Sequence, residues 1–92
     1  MLPVVWLESA DEDLHAIVSY IRERNPSAAL ALAERLIEDA DNLGLLSSLY
    51  RRGRVAGTHE FVSHPNYILV YRQTLTAIEI LNVIHARQRY PF

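Results

Sequence analysis

The 92-residue chain has no cysteine and no lysine. Without cysteine, neither a disulfide framework nor a thiolate metal site can form. Without lysine, no side-chain amine can serve as a base or Schiff-base nucleophile. All nine basic residues are Arg, which keeps its proton near neutrality. Long apolar runs are also missing. None approaches the roughly 20 residues of a membrane span, and the opening MLPVVWLE has no basic n-region. His15, His59 and His64 lack the i,i+4 spacing of a helical metal site, so no metal is expected. A small cytoplasmic domain without membrane contact is expected.

Half the residues are hydrophobic and 22% are charged, an ordinary globular balance. A chain this short forms one domain, residues 1–92, with one modest core. Its charge is unevenly distributed. Residues 1–49 carry three Arg and nine acids; residues 50–92 carry six Arg and two acids, Glu60 and Glu79. A pI near 6.0 therefore conceals one basic surface, and the division points to two kinds of partner.

The local patterns predict β-α-α-β-β-β. Leu2–Trp6 is rich in strand formers. Ser9 and Glu12 have capping-box spacing, and Ala10, Leu14, Ile17, Val18 and Ile21 then form a helical stripe. Asn25-Pro26 ends that helix and starts another. The second helix carries Ala29, Ala33, Leu36, Ile37, Ala40 and Leu43 on one face, with Gly44 placed to stop it. Strands are predicted at Thr58–Ser63, Tyr67–Arg72 and Ala77–His85, joined by turns short enough for antiparallel neighbours. The expected fold class is α+β: a two-layer sandwich of an antiparallel twisted sheet on an N-terminal helical hairpin, with the other sheet face partly open. Alternation along the last strand puts Glu79 and His85 on one face.

Trp6 followed by Asp13-Leu14, the Asn25-Pro26 pair, GRVAGTHEFV, NYILVYR and IEILNVIHARQRYPF stand in an order that resembles the RelE/ParE superfamily of type II toxin–antitoxin toxins. The likeness covers nearly the whole chain and is closest to the ParE-type branch. It implies a toxin of the plasmid-stabilisation kind, silenced by a cognate antitoxin that is acidic and partly disordered, ParD- or PaaA-like. RelE-like members cut mRNA on the ribosome; ParE-like members bind DNA gyrase and trap its cleavage complex. The nuclease pattern Y-R-L-V-Y places an Arg where this chain has Ile68, and isoleucine cannot donate to a phosphate oxygen. Losing one such charge-stabilising donor typically costs about 10²–10³ in rate. The resemblance therefore implies gyrase inhibition by binding, with no cofactor of its own, and ribosome-dependent mRNA cleavage as the alternative.

For cleavage, the candidate catalytic residues are His85 as general acid or base, Glu60 to orient it, and Arg54 and Arg72 for the phosphate. For target binding they are Arg54, Arg72, His85, Arg87, Arg89 and Tyr90. Leu30, Leu32, Leu45, Leu46, Leu49 and Tyr50 exceed what a small core needs. Leu30, Leu45, Leu46, Leu49, Tyr50, Arg51 and Arg52 form the expected antitoxin surface. Tyr90 and Phe92 either fold back on the open sheet face or protrude as an aromatic-basic tip.

Overall fold

The computed structural model describes residues 1–46 and 50–91, with only the backbone of Leu46. The expected order of elements is present: β1 (Val4–Trp6), α1 (Glu8–Arg22), α2 (Pro26–Leu46), β2 (His59–His64), β3 (Tyr67–Gln73) and β4 (Ile78–His85). The sheet runs β1-β4-β3-β2. β2, β3 and β4 form the antiparallel meander, while β1 lies parallel to β4, with Val4 opposite Ile78 and Trp6 opposite Ile80. The sheet is therefore mixed rather than antiparallel throughout. The chain passes from β1 through the helical hairpin and the meander before reaching β1's partner, and no local pattern encodes that pairing.

The two helices pack on one sheet face. Ala10, Leu32, Leu36, Ala40 and Leu43 meet Leu69, Tyr71, Ile78, Ile80 and Val83 in a sealed core, with Leu14, Ile17 and Ile21 of the α1 stripe around it. Leu32, outside the expected stripe, is buried, whereas Ile37 on it is 43% exposed. The buried stripe of α2 thus runs through Ala29, Leu32, Leu36, Ala40 and Leu43, i, i+3, i+7, i+11 and i+14. Asp39 accepts the Ser63 hydroxyl at 2.5 Å and ties α2 to β2.

Three local signals resolve differently from one another. Asn25 caps α2 as expected, its Oδ1 accepting the Ala28 amide at 3.2 Å, with Pro26 in the first turn. Ser9 is not the cap of α1. The helix begins at Glu8 after Leu7, no side chain caps it, and the Ser9 hydroxyl donates to the Leu81 carbonyl at 2.6 Å. Gly44 does not stop α2, which continues to Leu46. It lets the N-terminal segment come close: the Leu2 amide donates to the Gly44 carbonyl at 3.4 Å, and an added Cβ would collide with the Leu2 carbonyl oxygen.

Beyond Ile80, β4 no longer has β1 beside it, and side chains take over its free edge. Leu7 N–H reaches the Ile80 carbonyl at 3.0 Å. Ser9 bonds Leu81 O, and Asp13 Oδ2 accepts both Val83 N–H and the Asn82 amide at 3.0 Å. The Gln88 amide oxygen accepts His85 N–H at 3.0 Å. The Ile80 and Leu81 carbonyls and the Val83 and His85 amides, which a neighbouring strand would satisfy, are thus paired from the segment entering α1, from α1 itself and from the C-terminal turn.

Candidate functional site

The basic loop after α2 is folded onto the sheet by its own backbone. Gly53 N–H donates to Thr58 O at 2.8 Å, Glu60 N–H to Arg51 O at 3.1 Å, and Thr58 Oγ1 to Val55 O at 2.7 Å. Gly57 takes φ +81°, the left-handed region that glycine enters without penalty. A side chain at position 53 would strike the Thr58 hydroxyl. The two glycines close the loop so that Arg51 and Arg54 converge on Glu60.

Glu60 is 3% exposed, and burying a carboxylate without a counter-charge is prohibitive. Its Oε1 accepts from Arg51 Nη2 at 3.1 Å; its Oε2 accepts from Arg54 N–H at 2.9 Å and lies 3.3 Å from Arg54 Nε. Glu60 stands opposite Val70 in the β2–β3 register, on the sheet face away from the helices. Ile68, Val70 and Ile84 form a second buried cluster on that face, and Tyr90 packs against it. Of the two expected arrangements of the tail, Tyr90 takes the fold-back; Phe92 lies outside the described residues. The Arg54 guanidinium carbon stands 6.0 Å from the Tyr90 ring centroid, at the outer limit of a cation–π contact. Burial raises the Tyr90 hydroxyl pKa above its usual 10.0. The Glu60 charge adds to the rise and Arg54 opposes it.

His85 belongs to another neighbourhood. The β3–β4 register shifts between Val70 and Tyr71: Tyr71 faces Ile80, whereas Val70 faces Asn82. Ile78, Ile80 and Val83 consequently share the helix-side core. The extra residue reverses the alternation, so Glu79 and His85 lie on opposite faces, contrary to strict parity. Glu79 accepts Arg72 Nε at 2.5 Å near the β3–β4 hairpin. His85 sits at the far end of β4, opposite Tyr67, their rings meeting edge-on at 5.4 Å. Its Nδ1 accepts Arg87 N–H at 3.1 Å, and its carbonyl accepts Gln88 N–H at 2.9 Å. A nitrogen that accepts a backbone N–H is unprotonated, so the ring proton is on Nε2.

The structure brings Arg51, Arg54, Glu60 and Tyr90 together. It separates Arg72 from His85 by five residues of β3, roughly 17 Å at about 3.4 Å per residue. Arg87 and Arg89 are exposed on the C-terminal turn. Leu30 and Leu45 are about 60% exposed, whereas Tyr50 is turned inward against Phe61 at 4.6 Å. Arg52 bridges to His59 at the sheet margin. The side chains of Leu46 and Leu49 lie outside the described residues. Sequence reasoning overlooked Ser9, Asp13 and Gln88 as edge partners of β4; the Asp13-Leu14 motif was visible, but its role depends on contacts some 70 positions away.

Among the described residues, no three His, Asp or Glu side chains gather to hold a metal, and no helix is long and apolar enough to cross a membrane. A family model described as the ParE toxin of the type II toxin–antitoxin system parDE matches residues 4–90. The chain is 34% identical over 87 residues to Y4kP of Sinorhizobium fredii, covering 94% of this chain and 90% of that one. It is 36% identical over 88 residues to Toxin RelE2 of Caulobacter vibrioides, covering 94% and 97%. The toxin fold itself recurs in the chromosomal ParDE TA system from P. aeruginosa, at a TM-score of 0.83 and 21% identity over 92% of this chain and 96% of that one. Matched along almost its whole length, the chain belongs to the ParE toxin family of type II toxin–antitoxin systems.

Proposed function

We propose that this toxin inhibits DNA gyrase by binding it and holding its cleavage complex, with no chemistry of its own. The family implies a cognate antitoxin as the partner that silences it. The supporting observation is the dispersal of the nuclease candidates. Glu60 is committed to Arg51 and Arg54 on one face, His85 stands on the other, and Arg72 is paired with Glu79 at the opposite end of β3. Ile68, where the nuclease pattern carries Arg, is buried beneath Tyr90. In-line phosphoryl chemistry needs its acid, base and charge stabiliser within hydrogen-bond reach of one phosphate.

The target contacts proposed are Arg87 and Arg89, with Arg54 and Tyr90 beside them and Arg72 and His85 at the two ends of the sheet. The antitoxin surface proposed is the exposed Leu30 and Leu45 together with Leu46, Leu49, Tyr50, Arg51 and Arg52. An acidic segment complements those two arginines, as in ParD- or PaaA-like antitoxins. The deciding assay incubates antitoxin-free toxin with gyrase, supercoiled plasmid and ATP. Linear DNA released by detergent and protease is the expected product. No linear DNA, with mRNA cut in the ribosomal A site by the same sample, overturns the proposal in favour of the nuclease.

A further inference from the structure

A cleft of about 330 Å³ lies between α1 and the ends of β3 and β4, away from the Arg54–Glu60 cluster. Tyr20, Tyr67 and His85 supply aromatic walls, Ile17 and Val83 an apolar floor, and Asp13 a carboxylate. Both hydrogen bonds to Asp13 arrive at Oδ2, from Asn82 and from Val83 N–H. Its Oδ1 has no partner among the described residues, and no basic side chain there pairs with it. A strand residue directs its N–H and C=O to the same side. Since Val83 N–H goes to Asp13, the Val83 carbonyl points to the same free edge. The cleft is therefore lined by a carboxylate and by the residue whose carbonyl points to the same strand edge, between aromatic rings. Tyr20 already holds one cation: the Arg24 guanidinium carbon is 3.9 Å from its ring centroid.

A carboxylate and a backbone carbonyl at one strand edge, flanked by π-faces, suit a planar, charged donor fork, which among side chains is the guanidinium. The setting is complementary too, because α1 carries Glu8, Asp11, Glu12 and Asp13 against a single Arg22. We infer that this cleft is a receptor for one arginine side chain of the antitoxin, an assignment that rests on the family's antitoxin partner. Filling it would press on His85 and Gln88, which hold the turn bearing Arg87 and Arg89. The antitoxin would thus restrain the proposed target-binding turn without covering it.

The test titrates labelled toxin with N-acetyl-arginine methylamide and, as the uncharged isostere, N-acetyl-citrulline methylamide. Expected are saturable NMR shifts at Tyr67, Val83 and His85 with the arginine compound alone, and at least about tenfold weaker binding in Asp13→Asn. Equal shifts from citrulline, or no saturation by about 50 mM arginine compound, overturn the inference. Should Asp13→Asn disturb the fold, Tyr20→Ala removes a wall from the outside and is expected to weaken binding severalfold. Intact antitoxin supplies the second arm. One of its arginines, replaced by alanine, is expected to cost about tenfold in affinity for wild-type toxin and under about twofold for Asp13→Asn. An antitoxin that binds tightly with no arginine coupled to Asp13 refutes the cleft assignment alone. An antitoxin that does not bind refutes the partner reading and the cleft assignment together.

Discussion

At the scale of single residues, buried polar groups set the most exacting requirements. Glu60 is buried with one acceptor oxygen for each of two arginines. Both guanidinium groups reach solvent, so the pairs are screened and each contributes modestly. Glu60→Gln is expected to lower stability by roughly 1–3 kcal/mol through lost charge-assisted bonds to a buried group. Urea denaturation should show a lower midpoint at unchanged slope. Tyr71, fully buried, has its pKa pushed up to about 12 by burial and by Tyr50 nearby. A raised acid pKa means the folded state holds its proton more tightly than the unfolded chain. Stability from this group is thus complete below pH 10 and is lost as pH rises from there through about 12. Thermal melts across that window should fall steadily, and Tyr71→Phe should flatten the fall. Absorbance at 295 nm reports the ionisation directly. His85 and Glu60 were legible as interesting residues because they are polar within apolar strands. The opposite facing of Glu79 and His85 was not legible, because the bulged residue between them reverses the alternation of β4.

At the scale of elements, the sequence was read well wherever the signal is local. The Asn25-Pro26 junction, the α1 stripe and the three meander strands fall within a residue or two of expectation. Misreadings occurred where one residue serves a distant element. Ser9 has the chemistry of a cap, yet its hydroxyl satisfies Leu81 on β4; Gly44 looks like a helix stop, yet it makes room for Leu2. Gly44→Ala should therefore act as an overpacking change where a helix scale would call it favourable, costing roughly 1–3 kcal/mol. A lower melting temperature with unchanged helix content would bear this out. Ser9→Ala is expected to cost about 1 kcal/mol by leaving the Leu81 carbonyl unpaired. Amide exchange should speed up locally, at Leu81 to Val83, while β2 and β3 remain protected.

At the scale of the whole molecule, the uneven charge becomes a division in space. Acidic residues concentrate on the helical hairpin; Arg51, Arg52 and Arg54 lie on the loop behind the sheet, and Arg87 and Arg89 on the turn after β4. Arg87→Ala with Arg89→Ala is expected to abolish growth arrest while preserving the melting temperature and antitoxin affinity. This pair separates recognition from packing, which a truncation through Tyr90 would confuse because that ring covers Ile68, Val70 and Ile84. A double variant that stays fully toxic would remove the turn from the target surface. The parallel pairing of β1 with β4 also has a consequence for timing. Residues 4–13 find their partners among residues 78–83. A ribosome adding ~5–20 residues per second needs roughly 4–16 s to bring those partners into existence. The hairpin can form as it emerges, but the sheet waits for the last strand. Until then each newly made copy carries unpaired apolar surface, which gives an antitoxin already in the cell an interval in which to meet the toxin before its fold is complete.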